Sequence, residues 1–367
     1  MRVGILTFSN ALNFGAALQA YSLQKTLEHM GNDAELINYL CPAIESMHKL
    51  LPVFKPRISM KTRIYNLIYN FAFFPRRIHF QYFQHSLKKS KEYSRETIGT
   101  LNGIYDVFIT GSDQVFNLKL TGNDSTYFLD FVQSGKKASY AASLGTYLPE
   151  KKKQYQDYLQ SFECLSLREK SSAELFRREL GVVADVIPDP VFLHTGEEWK
   201  ALLGIDEKKG KEKYLLIYSL IETKELYQIA NTIAKKRGLK TVAITKALRP
   251  LGKADRFVRN AGPREFVELM VNTEYVVTNS FHGTAFSLIF KKQFETVLPP
   301  VAQERIVNLL EVLSLNDHIY SAGNPVVDVA IDYSAYGAQI NGLKEQGIAY
   351  LNKILKLKKG DIKSDCS

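Results

Sequence analysis

Short apolar runs alternate along the chain with stretches of helical periodicity, the pattern of α/β layers built on parallel sheets. Residues 3–8 form an apolar strand, and 16–30 carry Leu18, Tyr21, Leu23 and Leu27 at helical spacing before Gly31 stops them. Further strands are predicted over 34–39, 106–110, 137–142 and 164–167, the last followed by a helix over 171–180. The two prolines of the DVIPDP run at 185–190 disfavour continued helix and mark a passage between units. The alternation then restarts: strand 214–219, helix 223–238, strand 241–244, a helix over 264–271 opened by Pro263, and an apolar run over 275–277. A long amphipathic helix is predicted over 339–358. The expected architecture is two Rossmann-like domains facing a cleft, residues 1–187 and 188–367, with ligands beyond the C-terminal strand ends.

Length supports the two-domain division, since 367 residues exceed one ordinary core. A composition of 45% hydrophobic and 23% charged residues is that of a soluble globular protein, without a run long enough to span a bilayer. The N-terminal apolar stretch is short, lacks a small-residue cleavage site and reads as a buried strand rather than a signal peptide. Cys41, Cys164 and Cys366 are scattered, which predicts a reducing, cytoplasmic setting with no disulfide framework and no metal site. The net charge of +10 matches the ten Lys and Arg residues between 46 and 91, a segment with no Asp or Glu. That segment, read as an insert in the first domain, also holds Phe54, Tyr65, Tyr69, Phe71, Phe73, Phe74, Phe80, Tyr82 and Phe83. Basic and aromatic residues together suit peripheral contact with an anionic membrane, on its inner face; a solvated insert is the plain alternative.

Four polar turns follow apolar strands. In the first, SNALNFGA, Asn13 and Gly15 precede a helix, where asparagine either caps it or holds a hydroxylated ligand. The second, TGSDQVFN, gathers Ser112, Asp113, Gln114 and Asn117 behind Gly111, and Asp113 is placed either to cap a helix or to act as a base toward a sugar hydroxyl. In the third, Arg168 stands at a strand end, either as a bidentate anion ligand or in an ion pair with Glu169 or Asp185. The fourth, TNSFHGT, sets His282 and Gly283 at a helix start, an anion-binding position with a titratable group beside it; a satisfied turn histidine is the alternative. GxxxxGK[ST], GxGxxG after the first strand and GxSxG are all absent, so ATP hydrolysis, dinucleotide binding and an esterase elbow find no support.

Taken in order, TFSNALNFGAALQAYSLQ, YDVFITGSDQVFN, CLSLREKSS, VIPDPVF and VVTNSFHGTAFS resemble the polysaccharide pyruvyl transferase family from Gly4 to about Val312. The resemblance implies a fold like the GT-B glycosyltransferases. It also implies transfer of the enolpyruvyl group of phosphoenolpyruvate to a sugar of a glycan, which can be lipid-linked, as a cyclic ketal. No further cofactor or metal is implied. By the same resemblance His282 is the donor-site acid/base, Arg168 an arginine binding phosphoenolpyruvate, and Arg305, or less well Lys292, a further donor cation. Ser280, Gly283 and Thr284 complete the donor side. The acceptor is expected against Asn13, Gly15 and the Gly111, Ser112, Asp113, Gln114 turn. Relatives with GNxGD carry an aspartate where this chain has Ala16, which leaves Asp113 as the candidate acceptor-side base. The competing functions are a nucleotide-sugar glycosyltransferase of the same architecture and a non-catalytic binder of membranes or polyanions. Nucleic acid is not an expected partner, because no recognised module appears.

Overall fold

The computed structural model describes residues 1–53, 59–207, 212–299, 303–320 and 329–356. Phe54, Lys55, Arg57, Cys366 and the last two positions of the predicted C-terminal helix lie outside them. The chain divides into two units, residues 1–48, 86–194 and 341–367 in the first and 49–85 and 195–340 in the second.

The strands of the first unit are β1 (Arg2–Leu6), β2 (Asp33–Tyr39), β3 (Lys89–Tyr93), β4 (Val107–Thr110), β5 (Lys136–Ser139), β6 (Ser166–Leu167) and β7 (Asp185–Val186). Five of them form one sheet in the order β3-β2-β1-β4-β5, and every pairing is parallel. Strands covered on both faces must be apolar throughout, which is why Val107–Thr110 is buried at all four positions. Helix α1 (Phe14–His29) follows β1 and α2 (Pro42–Met47) follows β2. Helix α3 (Met60–His85) precedes β3 in sequence but belongs to the second unit. Helices α4 (Lys152–Leu159) and α5 (Lys170–Leu175) complete the first unit's early part.

The second unit carries β8 (Tyr214–Tyr218), β9 (Lys240–Ile244), β10 (Arg256–Val258), β11 (Tyr275–Thr278), β12 (Gln293–Val297) and β13 (Ile319–Tyr320). These form a parallel sheet in the order β10-β9-β8-β11-β12-β13. Its helices are α6 (Gly196–Leu203), α7 (Lys224–Arg237), α8 (Pro263–Asn272), α9 (Phe281–Ile289) and α10 (Glu304–Val312). Helix α11 (Tyr333–Lys356) begins in the second unit and ends in the first, where Lys353 Nζ meets Asp185 at 2.9 Å.

Both sheets have the Rossmann order, in which the chain starts centrally, runs to one edge and returns to the centre. The reversal lies between β1 and β4 in one unit and between β8 and β11 in the other. At such a switch point the two loops leave in opposite directions and open a crevice at the carboxyl ends of the strands.

Three expectations change. The break between units falls after His194, not 187, because the Pro190–Leu193 turn packs on α1, with Ser22 Oγ donating to the Pro190 carbonyl at 2.5 Å. The basic segment is largely a helix of the second unit, not an insert of the first. The final helix is shared between the units. The placement of α3 has a visible cause in a glycine: a Cβ on Gly262, at the start of α8, would lie 2.6 Å from His79 Cβ. Helix α3 therefore comes down on the start of α8, and His79 Nδ1 stands 3.6 Å from Glu265.

Candidate active site

The carboxyl edge of the first sheet is a network of hydrogen-bonded polar groups. Asn13 caps α1, its side-chain oxygen accepting from Ala16 N at 3.2 Å, and Gly15 is buried in the helix's first turn. After β4 and Gly111, Ser112 Oγ donates to Asp189 Oδ2 at 3.0 Å while its carbonyl accepts from Thr7 Oγ1 at 3.0 Å. Asp113 holds a left-handed backbone, φ +77°, which aspartate tolerates better than most residues. Its carbonyl accepts from Val115 N and Ser143 N, both at 2.8 Å, and its Oδ1 from Gln114 N at 2.9 Å. Gln114 Oε1 is taken by Asn117 Nδ2 at 2.8 Å.

Arg168 is the hub of this edge. Its Nη1 donates to Asp189 Oδ2 at 2.6 Å and its Nε to Glu169 Oε1 at 3.1 Å, and Glu169 also accepts from Ser143 Oγ at 2.8 Å. The expected partner Asp185 is engaged by Lys353 instead. Burial disfavours the guanidinium charge, but Glu169, Asp189 and Asp113 outweigh it and raise the Arg168 pKa further. One cation amid three carboxylates leaves no excess positive charge for an anion. Beside the switch point, Lys89 Nζ donates to Asn10 Oδ1 at 2.9 Å, and burial lowers its pKa to about 8.

The carboxyl edge of the second sheet is organised around the start of α9. Thr278 Oγ1 donates to the Tyr218 carbonyl at 2.7 Å, tying the ends of β11 and β8 together. Asn279 accepts from Leu220 N at 2.8 Å and donates to the Ile221 carbonyl at 2.7 Å, so its amide fixes the loop that leaves β8. Ser280 is the N-cap of α9, with His282 in the first turn and 8% exposed. Gly283 is required by packing: a Cβ there would lie 2.2 Å from Thr278 Oγ1 and 3.0 Å from Tyr218 Cδ1. The N–H of Gly283 goes to Ser280 Oγ at 3.4 Å and that of Thr284 to the Ser280 carbonyl at 3.0 Å. Both amides thus serve the helix itself, contrary to the expectation that they hold the ligand. Behind the turn, Phe286 stands edge-on to Trp199 at 5.3 Å and to Phe266 at 5.7 Å, and Tyr218 meets Phe266 at 4.9 Å. This aromatic packing makes the start of α9 a rigid platform.

The two downstream cations separate. Arg305 is in the first turn of α10, which packs on α9, and is partly buried. Lys292 lies past the far end of α9, beside the start of β12, where its ammonium donates to the Val271 carbonyl at 2.7 Å. A C-terminal carbonyl of α8 is the position that attracts a cation by the helix dipole, and it is at the opposite edge of the sheet from His282. Lys292 is therefore no part of the donor set.

Three residues went unread in the sequence. Tyr218 ends β8, hydrogen-bonds Ser280, and has its pKa raised by burial, with the Arg76 charge opposing. Arg76 is 4% exposed on α3, with its guanidinium 5.3 Å over the Phe80 ring, and burial lowers its pKa to about 10. Lys246 follows β9. The strand-end position of Tyr218 and Lys246 was a usable signal; Arg76 looked like any other charge of its segment. Among the described residues no group of His, Cys, Asp or Glu could hold a metal, and no helix is long and apolar enough to cross a membrane.

Comparison with known proteins adds a family and a fold. The sequence profile described as polysaccharide pyruvyl transferase matches residues 13–294. A structure from Listeria monocytogenes described as a UDP-N-acetylglucosamine 2-epimerase has a TM-score of 0.50 and 13% identity, covering 97% of this chain and 94% of its own. The UDP-GlcNAc 2-epimerase of Neisseria meningitidis, bound to UDP-GlcNAc, gives 0.49 and 12%, covering 97% and 99%. An alpha-glucosyltransferase in complex with UDP and a 13-mer DNA gives 0.48 and 9%, covering 96% and 95%. Such identities speak to the fold alone, and the fold is the GT-B-like pair of Rossmann-like units expected. A comparison with curated proteins gave no significant match.

Proposed function

Because the chain belongs to the polysaccharide pyruvyl transferase family, we propose that it moves the enolpyruvyl group of phosphoenolpyruvate onto two hydroxyls of a saccharide as a pyruvate ketal. The observation that carries this reading is His282 in the first turn of α9, at the switch point of the second sheet. An imidazole there supplies the proton donor that the reaction needs beside an anion.

In the proposed reaction the His282 imidazolium gives its proton to C3 of phosphoenolpyruvate, which turns C2 into an oxocarbenium-like centre. A first sugar hydroxyl adds to C2 and loses its proton. The C2–O bond to phosphate then breaks, phosphate leaves with the bonding electron pair, and the second hydroxyl closes the ketal. Of the two hydroxyl protons released, one replaces that given to C3 and the other ends on phosphate. Arg305 and the positive end of α9 stabilise the leaving phosphate. On the acceptor side we assign the sugar to the Asn13 and Gly111–Gln114 turns, with Asp113 as the base. Arg168 is assigned to holding that edge together through Asp189 and Glu169, in place of binding the donor.

The same reading gives α3 a role in reaching a lipid-linked acceptor. Met60, Ile64, Leu67, Phe71 and Phe74 are exposed and recur every three or four residues, an apolar stripe about 21 Å long at 1.5 Å per residue. Lys61 accompanies the stripe, and the whole 46–91 segment lacks a carboxylate. Two copies meeting on this stripe would oppose like charges, whereas an anionic bilayer surface satisfies both the apolar and the basic residues. Flotation with liposomes containing anionic lipid should recover the protein at low salt, and replacing Leu67 and Phe71 by Ser should release it; absence of flotation at low salt removes the membrane role.

Thermal unfolding with added ligands tests the donor assignment. Phosphoenolpyruvate at about 100 times its Kd should stabilise the protein by roughly 2.7 kcal/mol. Stabilisation by UDP-sugars and not by phosphoenolpyruvate would replace the pyruvyl transferase reading with a glycosyltransferase one.

A further inference from the structure

We propose that Lys89, Asn10 and Asn38 form a subsite at the carboxyl edge of the first sheet for an anionic group of the saccharide acceptor, a uronic acid carboxylate or a phosphodiester. The inference rests on the reading that the acceptor is received at this edge, and it names the class of acceptor.

Three neighbouring strands bring the side chains together. In the order β3-β2-β1, Lys89 opens β3, Asn38 is the next-to-last residue of β2, and Asn10 lies in the loop after β1. That loop leads three residues later to Asn13, the cap of α1. The Lys89 ammonium donates to Asn10 Oδ1 at 2.9 Å and to the Ser9 carbonyl at 3.4 Å. Asn10 Nδ2 donates in turn to Asn38 Oδ1 at 2.8 Å. The backbone N–H of Asn38 goes to Ser90 Oγ at 3.0 Å, which anchors the far end of the chain of bonds. Lys89, Asn10 and Asn38 are all half-buried.

A lysine ammonium only donates, and that fixes the orientation of both amides. Asn10 must turn its oxygen to Lys89 and its nitrogen to Asn38, which must then present its own oxygen to Asn10. Each side-chain oxygen of the cluster is therefore engaged within it. What remains outward are N–H groups. Asn38 Nδ2 donates to no protein atom and reaches solvent, and Asn10 Nδ2 and the Lys89 ammonium each keep a further proton. A sugar hydroxyl brings a donor with its lone pairs, and that donor meets only oxygens already engaged. A carboxylate or a phosphodiester solely accepts, so it answers such a set of donors and adds a full charge.

Charge points the same way. Lys89 makes no ion pair among the described residues, although the Glu45 carboxylate of α2 acts on its charge from farther off. Burial lowers its pKa to about 8, as expected of an ammonium received only by neutral oxygens. Its neighbours differ: Lys88 is paired with Asp33, and Arg168 with Asp189 and Glu169. One lysine among neutral amides matches a single negative charge.

The test is binding to immobilised oligosaccharides in matched neutral, uronate-bearing and phosphodiester-bearing forms, by wild type, Lys89→Gln, Asn38→Asp and Lys61→Gln. Wild type should bind an anionic form at least about tenfold more tightly than the neutral one, and the form it selects identifies the source of the charge. Lys89→Gln should cut that preference about tenfold, the worth of one charge-assisted hydrogen bond. Asn38→Asp still accepts from Asn10 but sets a carboxylate where an amide donated, so its loss should be at least as large. This second variant keeps the test valid should Lys89→Gln fail to fold. Lys61 is exposed on α3, and its variant removes the same charge elsewhere, which separates the subsite from general attraction to a basic protein. A loosened loop would weaken all three forms and leave their ratio intact. An unchanged ratio in Lys89→Gln and Asn38→Asp, an equal fall in Lys61→Gln, or wild type without a preference overturns the subsite. A preference that depends on Lys89, with no phosphate released from phosphoenolpyruvate on the bound saccharide, keeps the subsite and removes the pyruvyl transferase reading. Phosphate release with a neutral saccharide alone does the reverse.

Discussion

The two carboxyl edges share a sequence pattern, a strand followed by a polar turn and a helix, yet their hydrogen bonding differs. In the first unit Arg168, Ser112, Ser143, Glu169 and Asp189 are linked by hydrogen bonds, and the arginine is paired with two carboxylates. At the second unit's edge the N-cap Ser280 opens a helix whose first turn bears a histidine, on a platform of packed aromatic rings. Polar residues at a strand end do not by themselves distinguish an edge that holds itself together from one that receives an anion. An arginine in a matching motif is not thereby a ligand.

Substitutions should separate the two edges. The largest stability effect is expected for Asp189→Ala, which leaves the buried Arg168 guanidinium without its closer carboxylate and should cost about 3–5 kcal/mol in urea unfolding. At a temperature where that variant is still folded, phosphoenolpyruvate should bind as to wild type; a large loss of donor affinity would return Arg168 to the donor site. Gly283→Ala is expected next, at about 1–3 kcal/mol, since Thr278 and Tyr218 must move to admit the methyl group. A neutral Gly283→Ala would show that the Tyr218–α9 contact is loose. Ser280→Ala should cost the least, about 1 kcal/mol for a lost cap. It should still weaken donor binding more than Asp189→Ala does, and the reverse order would break the contrast between the edges.

Much of the fold was legible because parallel strands buried on both faces must be continuous apolar runs. Val107–Thr110 and Tyr275–Thr278 announced themselves in that way. Three of the edge strands did not: Lys89–Tyr93 is mostly polar, and Arg256–Val258 and Ile319–Tyr320 are too short to show a period. The order of strands, and with it the two switch points, depends on long-range pairing that no local pattern encodes. Of the site, Ser280 and His282 were legible from the helix start that they form. The burial of Arg76 was not, because one buried arginine among ten basic residues is marked only by the helix face it occupies. Its segment divides three ways: Lys89 goes to the first unit's edge, Arg76 to the buried side of α3, and the Met60–Phe74 stripe to the surface.

Single-turnover release of phosphate from phosphoenolpyruvate, with a saccharide acceptor, by wild type and His282→Ala reaches the central assignment most directly. Proton transfer by His282 predicts a chemical step slowed about 10²–10⁴-fold, with the variant folded and still binding phosphoenolpyruvate. Phosphate release at the wild-type rate from the folded variant would contradict it.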